Sequence, residues 1–503
     1  MRRFWIIVFW ATTLASVVPL LATRFLPFAD LPEHVAAIGT VARLISGDGG
    51  SEPYVVDLVR SQYFLYHLLG GLIAIVTRDA ILANQILLAI VAVLWPLSLR
   101  SLLRATGRDE RFAIFATMVF YNRALAIGFL PYLASVPIAV FGLAVLARWC
   151  RRATWPRSLA LAALALLLFY MHVSSYVLFA VIAGAWTMLA KRNLRAITLL
   201  AASLAPSAIA AFVWWRAGSL ASAPVPSEND IGRMNVVRSL NAFPVWTFDV
   251  WQGHVDEIAG GLWWTAFAVA AFFALRNARR LRARHALVFV PVVGAALVYL
   301  VTPFRVGNAS MLNVRLAPLV AMLALLPLAV MRAKNARWTK WPLALAAVAS
   351  IVTSVNTTFE ARRASTEMLG DFDDLLASIE PGKRVVMMNY ERRSPRTHFW
   401  PYVFAGSYHR ALHGGVSSWS FSELPHWPLH YAPGQAPPRH RPFWVFEPRA
   451  YRFARDGAYY DYALVQGDVD PFASAPSGPR FERVSHSGNF TLYAKVSEPP
   501  QSL

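Results

Sequence analysis

The 503-residue sequence predicts a polytopic α-helical membrane protein of about eleven transmembrane helices, followed by a small C-terminal α/β domain outside the cytoplasm. Three observations carry this prediction. Hydrophobic residues make up 56% of the chain and charged residues only 15%, whereas a soluble chain carries roughly a quarter charged residues. Long stretches are nearly free of charge. The excess of basic over acidic residues is confined to one set of short connections.

The apolar runs are residues 4–22, 80–99, 112–121, 133–147, 158–170, 174–190, 196–215, 258–275, 286–302, 316–330 and 342–355. Several reach the ~20 residues that cross ~30 Å of hydrocarbon, and the shorter ones need flanking residues to do so. The first run follows Met1-Arg2-Arg3 and resembles a signal peptide. It is long and lacks an obvious small-x-small cleavage site, so it is expected to stay as the first helix.

The net charge of +20 raises the question of a nucleic-acid partner. Its distribution answers it. If Met1 is cytoplasmic, segments 1–3, 100–111, 148–157, 191–195, 276–285 and 332–341 share one side, and together they hold 22 Lys and Arg against two acids. The rest of the chain is close to neutral. This is the positive-inside pattern of membrane topology, and it leaves no basic domain to grip nucleic acid. An integral protein of a bacterial inner (plasma) membrane is expected, with a cytoplasmic N-terminus and a periplasmic C-terminal domain. The single cysteine, Cys150, excludes a disulfide within the chain.

The segment 63–76 (YFLYHLLGGLIAIV) is apolar but short. If it spanned, the charge rule would fail for most later connections, so an interfacial or re-entrant helix is expected. The first outer loop then runs over about residues 23–79, with one amphipathic helix near 31–45. Other outer loops fall near 122–132, 216–257 and 303–315. Two domains are expected, 1–356 and 357–503. In the second, residues 361–379 read as a helix, and 384–389, 462–466 and 489–496 read as strands.

Several residues can carry chemistry. PFADLPEH places Asp30, Glu33 and His34 just after the first apolar run. A carboxylate there can act as general base on a hydroxyl acceptor. The same spacing also makes a helix cap, with Asp30 at the N-terminus and Glu33 reaching back; both readings stand. His172 lies where two apolar runs meet, and ionisable groups at membrane depth are functional candidates. His67 is a weaker one. Tyr63, Tyr132 and the third-loop acids Glu228, Asp230, Asp249, Asp256 and Glu257 can line a polar site. His409/His413 and His426/His430 have zinc-like spacing, but nearby Gly and Pro argue against helical presentation, and no metal ligand is assigned.

ADLPEH, the segment YFLYHLLGGL, the basic turn RSLLRATGRDER and the loop entry FYNRALAIGFLPY together resemble the GT-C superfamily of membrane glycosyltransferases, of the mannosyltransferase and arabinosyltransferase kind. The likeness covers residues 1 to about 200. It implies transfer of a sugar from a polyprenyl-phosphate donor to a hydroxyl on a glycan, lipid or protein acceptor, on the extracytoplasmic face. Asp30 would be the catalytic base, with Glu33 and His34 beside it. The donor phosphate would need cations or hydrogen-bond donors, from Asn122, Arg123, His172, Arg305, Arg315 or His67. The family's acidic pair is adjacent or one apart, and here Asp30 and Glu33 are three apart. The resemblance therefore leaves the second acid open, and with it a divalent metal. The other reading is a non-enzymatic scaffold or binding component of an envelope-polysaccharide system. A transporter is disfavoured, because no matched pair of Gly/Pro-broken helices occurs in two halves.

Overall fold

The computed structural model describes residues 2–47, 52–58, 61–217, 231–276, 283–306, 309–329, 337–424, 427–438, 444–473 and 479–496. The chain divides into two compact units. One comprises Met1–Leu21, Val59–Tyr66 and Leu88–Thr358; the other comprises Ala22–Leu58, His67–Leu87 and Phe359–Leu503.

Among the described residues, seven helices are long and apolar enough to cross a membrane: Arg3–Leu21, Ala80–Ala105, Leu130–Arg151, Val173–Lys191, Leu194–Ala217, His254–Arg276 and Lys340–Leu369. Phe64–Thr77, Trp155–Met171, Ala286–Val301 and Leu316–Leu328 are shorter apolar helices. Their outward residues are apolar too. Phe4, Ile7, Phe272, Leu275 and Val301 are all more than half exposed, which water would penalise and lipid does not. The protein is an integral membrane protein.

One expectation needs correction in these helices. Residues 112–121, expected to span, form a 3-10 turn (Glu110–Ile114) and a five-residue helix (Phe115–Val119), and Phe112–Val119 are buried throughout. The run is only ten residues long, and Asn122 stops it by capping the next short helix, Arg123–Ile127. The domain boundary expected near residue 356 falls inside a continuous helix, close to the division between the two units at Thr358 and Phe359. Lys340–Leu369 is one 30-residue helix, because no Gly or Pro interrupts residues 343–369. It ends at Gly370, whose φ of +56° is left-handed.

The second unit differs from the expected 357–503 domain. Residues 22–58 and 67–87, expected to belong with the membrane helices, cluster with the C-terminal residues instead. Helix Leu31–Ser46 lies against helix Ser407–His413 so closely that a Cβ on Gly39 would sit 2.2 Å from the Ala411 carbonyl oxygen. Strand Tyr54–Val56 pairs antiparallel with Leu429–Tyr431.

The five-stranded sheet has the order Val416–Ser417, Arg384–Asn389, Tyr462–Gln466, Phe490–Lys495, Phe481–Ser487. The first three strands are parallel and the last two join antiparallel. Tyr462–Gln466 is buried along its whole length, and so is Arg384–Asn389 after its first residue, as central parallel strands require. Val386, Met388, Ala463 and Val465 pack with Trp444, Tyr460, Phe481 and Tyr493 to form the core. Phe481–Ser487 is an edge strand with mostly polar, exposed residues, which is why its sequence gives no strand signal.

Candidate functional site

In the first unit, His172 stands at the junction of helices Trp155–Met171 and Val173–Lys191. It is the N-cap of the second: its Nδ1 accepts the Ser174 backbone N–H at 3.2 Å. A neutral imidazole has one acceptor nitrogen. With Nδ1 accepting, Nε2 carries the hydrogen. Arg315 Nη1 lies 3.4 Å from that Nε2. Both are donors, so the contact is two donors facing one another, and an acceptor between them would satisfy both.

The surroundings keep the Arg315 charge available. Its guanidinium rests 3.8 Å over the Phe129 ring, and it is hydrogen-bonded with Tyr63. No carboxylate pairs with it among the described residues, and its buried Nε has no partner there. Tyr63 and Tyr132 flank His172, with ring centroids 4.9 and 5.2 Å away. The buried Tyr132 hydroxyl has no hydrogen-bond partner among the described residues. Arg315, His172, Tyr63 and Tyr132 thus form one cluster of donors able to hold an anion.

Other expected residues are committed elsewhere in this unit. Asn122 accepts from the Ala124 and Leu125 N–H groups and donates to the Val119 and Phe120 carbonyls. That set occupies its amide as a helix cap. Arg123 is paired with Asp249 at 2.5 Å, so its charge is compensated. Asp256 accepts the Val250 and Trp251 N–H groups, and Glu257 pairs with His254. Arg305 lies on a two-residue strand between Ile231–Gly232 and Ala309–Ser310, apart from the His172 cluster in sequence and element. Glu228 and Asp230 lie outside the described residues.

In the second unit, Asp30 precedes helix Leu31–Ser46 and its side chain makes no capping hydrogen bond. Glu33 does not reach back either, so the expected capping box is absent. The Glu33 carboxylate, fully buried, turns to the C-terminal residues. It accepts from Arg410 Nη2 (2.9 Å), Ser420 Oγ (3.1 Å), the Phe421 N–H (2.8 Å) and Ser407 Oγ. Arg410 also donates to Tyr54 and Ser417. Burial alone would lower the Arg410 pKa, but Glu33 overrides it and holds the guanidinium above its ordinary value. This is a saturated buried ion pair, suited to joining segments.

His34 and His67 come together. His34 Nδ1 is 3.0 Å from His67 Nε2 and the rings stack at 9°. The Trp427 ring packs on both, with centroids 5.3 and 4.7 Å away. His409 and His413 do lie one turn apart on helix Ser407–His413, against expectation, while His426 lies outside the described residues. Among the described residues no three His, Cys, Asp or Glu side chains converge as a metal site.

No protein-family model matches the chain, and no curated protein sequence matches it. Solved structures do. ArnT from Cupriavidus metallidurans, bound to undecaprenyl phosphate, matches over 100% of both chains with a TM-score of 0.59 and 12% identity. Arabinofuranosyltransferase AftD from Mycobacteria matches 98% of this chain with a TM-score of 0.51 and 16% identity. A second class of the same AftD mutant matches with a TM-score of 0.51 and 14% identity. This chain spans only 41% of the AftD chain's length. This chain therefore shares its fold with ArnT and AftD across nearly all of its residues.

Proposed function

We propose that the protein is a membrane glycosyltransferase that moves one sugar from a polyprenyl-phosphate donor to an acceptor hydroxyl. The single observation that carries this reading is the pair of donors, Arg315 Nη1 and His172 Nε2, facing each other at 3.4 Å with no carboxylate paired to the arginine among the described residues. A phosphate oxygen is an acceptor that both could bond. The fold supports the choice of donor, since the similar ArnT structure holds undecaprenyl phosphate.

In the proposed reaction the acceptor oxygen attacks the anomeric carbon as the bond from that carbon to the phosphate oxygen breaks. The electron pair leaves with the polyprenyl phosphate, where Arg315 and His172 stabilise the growing charge. By the family resemblance, Asp30 is the candidate base for the hydroxyl proton. Displacement in line inverts the anomeric centre. Glu33 positions its helix through Arg410, and His34, next to it in sequence, faces His67 at 3.0 Å. The donor set for a divalent cation is not assembled among the described residues, so no step is assigned to one.

The extracytoplasmic face, the cytoplasmic N-terminus and the inner-membrane location belong to the proposal too. They rest on the confinement of the net positive charge to one set of connections.

The test is transfer from a radiolabelled polyprenyl-phosphate pentose or hexose by purified protein in liposomes. Transfer by the wild type, lost in Arg315→Ala with an unchanged thermal midpoint, is expected. A wild type that binds the lipid-linked sugar without ever transferring it would favour the scaffold reading.

A further inference from the structure

A second cluster of arginines lies at one end of three helices of the first unit. Arg104 ends helix Ala80–Ala105, Arg148 and Arg151 end helix Leu130–Arg151, and Arg157 opens helix Trp155–Met171. They are close in space. Arg148 lies within electrostatic range of Arg151, Arg104 and Arg157. Its Nη2 donates to Ser101 Oγ at 3.2 Å. Arg157 Nη1 donates to the Arg148 and Arg152 carbonyls at 2.9 and 2.7 Å. Trp149 Nε1 donates to Ser158 Oγ at 2.9 Å and ties the two helices together.

The charge of this cluster is largely uncompensated. Glu110 is shared between Arg100 and Arg104. No carboxylate pairs with Arg148, Arg151, Arg152 or Arg157 among the described residues. The C-terminal ends of two helices offer only partial negative charge. Directly beside the arginines, Trp155 is 76% exposed and Leu159 60% exposed. An indole at the start of an apolar helix, next to guanidinium groups with no carboxylate partner among the described residues, matches the boundary between headgroup and acyl chain.

We propose that this cluster binds the headgroup of an anionic phospholipid. The phosphate would bridge Arg148, Arg151 and Arg157, and an acyl chain would lie along Trp155 and Leu159. Arginine suits this role because its planar fork gives a phosphate two parallel hydrogen bonds. The site needs no sugar transfer and stands whether or not the protein is an enzyme.

The test uses the full chain in neutral detergent. Dioleoylphosphatidylglycerol is added at a fixed mole fraction, with dioleoylphosphatidylcholine as the uncharged comparison. The thermal midpoint should rise by about 3 °C or more with the anionic lipid only, and the rise should shrink in high salt. Native mass spectrometry should show the anionic lipid retained. Arg148→Gln/Arg151→Gln/Arg157→Gln should lose both effects, while Arg195→Gln, outside the cluster, keeps them. If the triple variant does not fold, Arg151→Gln, at an exposed position, should still cut lipid retention severalfold. Equal responses to the two lipids, or an unchanged response in the variants, would overturn the site. Inorganic pyrophosphate reproducing the whole shift would overturn its assignment to a lipid.

Discussion

Arg410 Nη2 donates to Glu33 Oε2 at 2.9 Å, with side-chain exposures of 3% and 0%. A residue of the first loop is thereby fastened to one almost 380 positions later, and Ser407, Ser420 and the Phe421 N–H fill the remaining valences. Removing one member of such a pair leaves a buried charge alone, which costs about 3–5 kcal/mol. Glu33→Gln and Arg410→Met should each lower the thermal midpoint of the purified protein sharply. Glu33→Leu/Arg410→Met should cost less than either alone, because no charge is left unpaired. If Glu33→Gln instead abolished transfer at an unchanged midpoint, Glu33 would return to the chemistry.

Asp30, three residues earlier, behaves differently. Its side chain makes no capping bond, so Asp30→Asn should remove no helix cap. As the general base it should lower kcat by about 10²–10⁴-fold with KM nearly constant. Steady-state transfer assays beside thermal melts separate the two effects. Wild-type turnover in Asp30→Asn would remove it from the mechanism.

His172 does two jobs with its two nitrogens, and one substitution can separate them. Asparagine is a strong N-cap residue, and its Oδ1 can accept the Ser174 N–H as Nδ1 does. It offers nothing at the position of Nε2. His172→Asn should therefore keep the thermal midpoint and lose about 10²-fold in transfer rate, the usual cost of one donor to a developing anion. His172→Ala should lose the rate and about 1 kcal/mol of stability as well. A His172→Asn protein with full rate would show that only the cap matters.

Much of this was legible in the sequence, for physical reasons that differ by residue. Long apolar runs and helix Leu31–Ser46 announce themselves by period and composition. Strands Arg384–Asn389 and Tyr462–Gln466 do so because central strands are apolar throughout. His172 and Arg315 stand out as polar groups in apolar surroundings. Arg410 does not: SYHRALH looks like any short surface helix, and only the distant Glu33 makes its burial tolerable. The roles of Asn122 and Arg123 were equally hidden. Whether an amide caps a helix, or an arginine meets Asp249, depends on backbone geometry and on a partner about 120 residues away.

His409 gives the second unit a pH dependence of its own. Burial, with the nearby charges of His413 and Arg43, pushes its pKa down from 6.5 to about 4. The folded form thus keeps the ring neutral where the unfolded chain would protonate it. Stability is complete above the unfolded value and falls as the pH drops from about 6.5 to about 4, by about 3 kcal/mol. Below that both forms carry the proton and the term is constant. His413, also lowered by burial and Arg43, acts in the same direction. Asp461 is held below its ordinary value despite burial, which raises it, because Arg384 bonds it; its loss belongs to more acidic conditions. Hydrogen exchange of helix Ser407–His413 and strand Arg384–Asn389, corrected for intrinsic rates, should show protection falling between pH 7 and pH 4.5. His409→Leu should flatten that fall, leaving the smaller His413 contribution. Equal slopes in the two proteins would show that His409 is not neutral when folded.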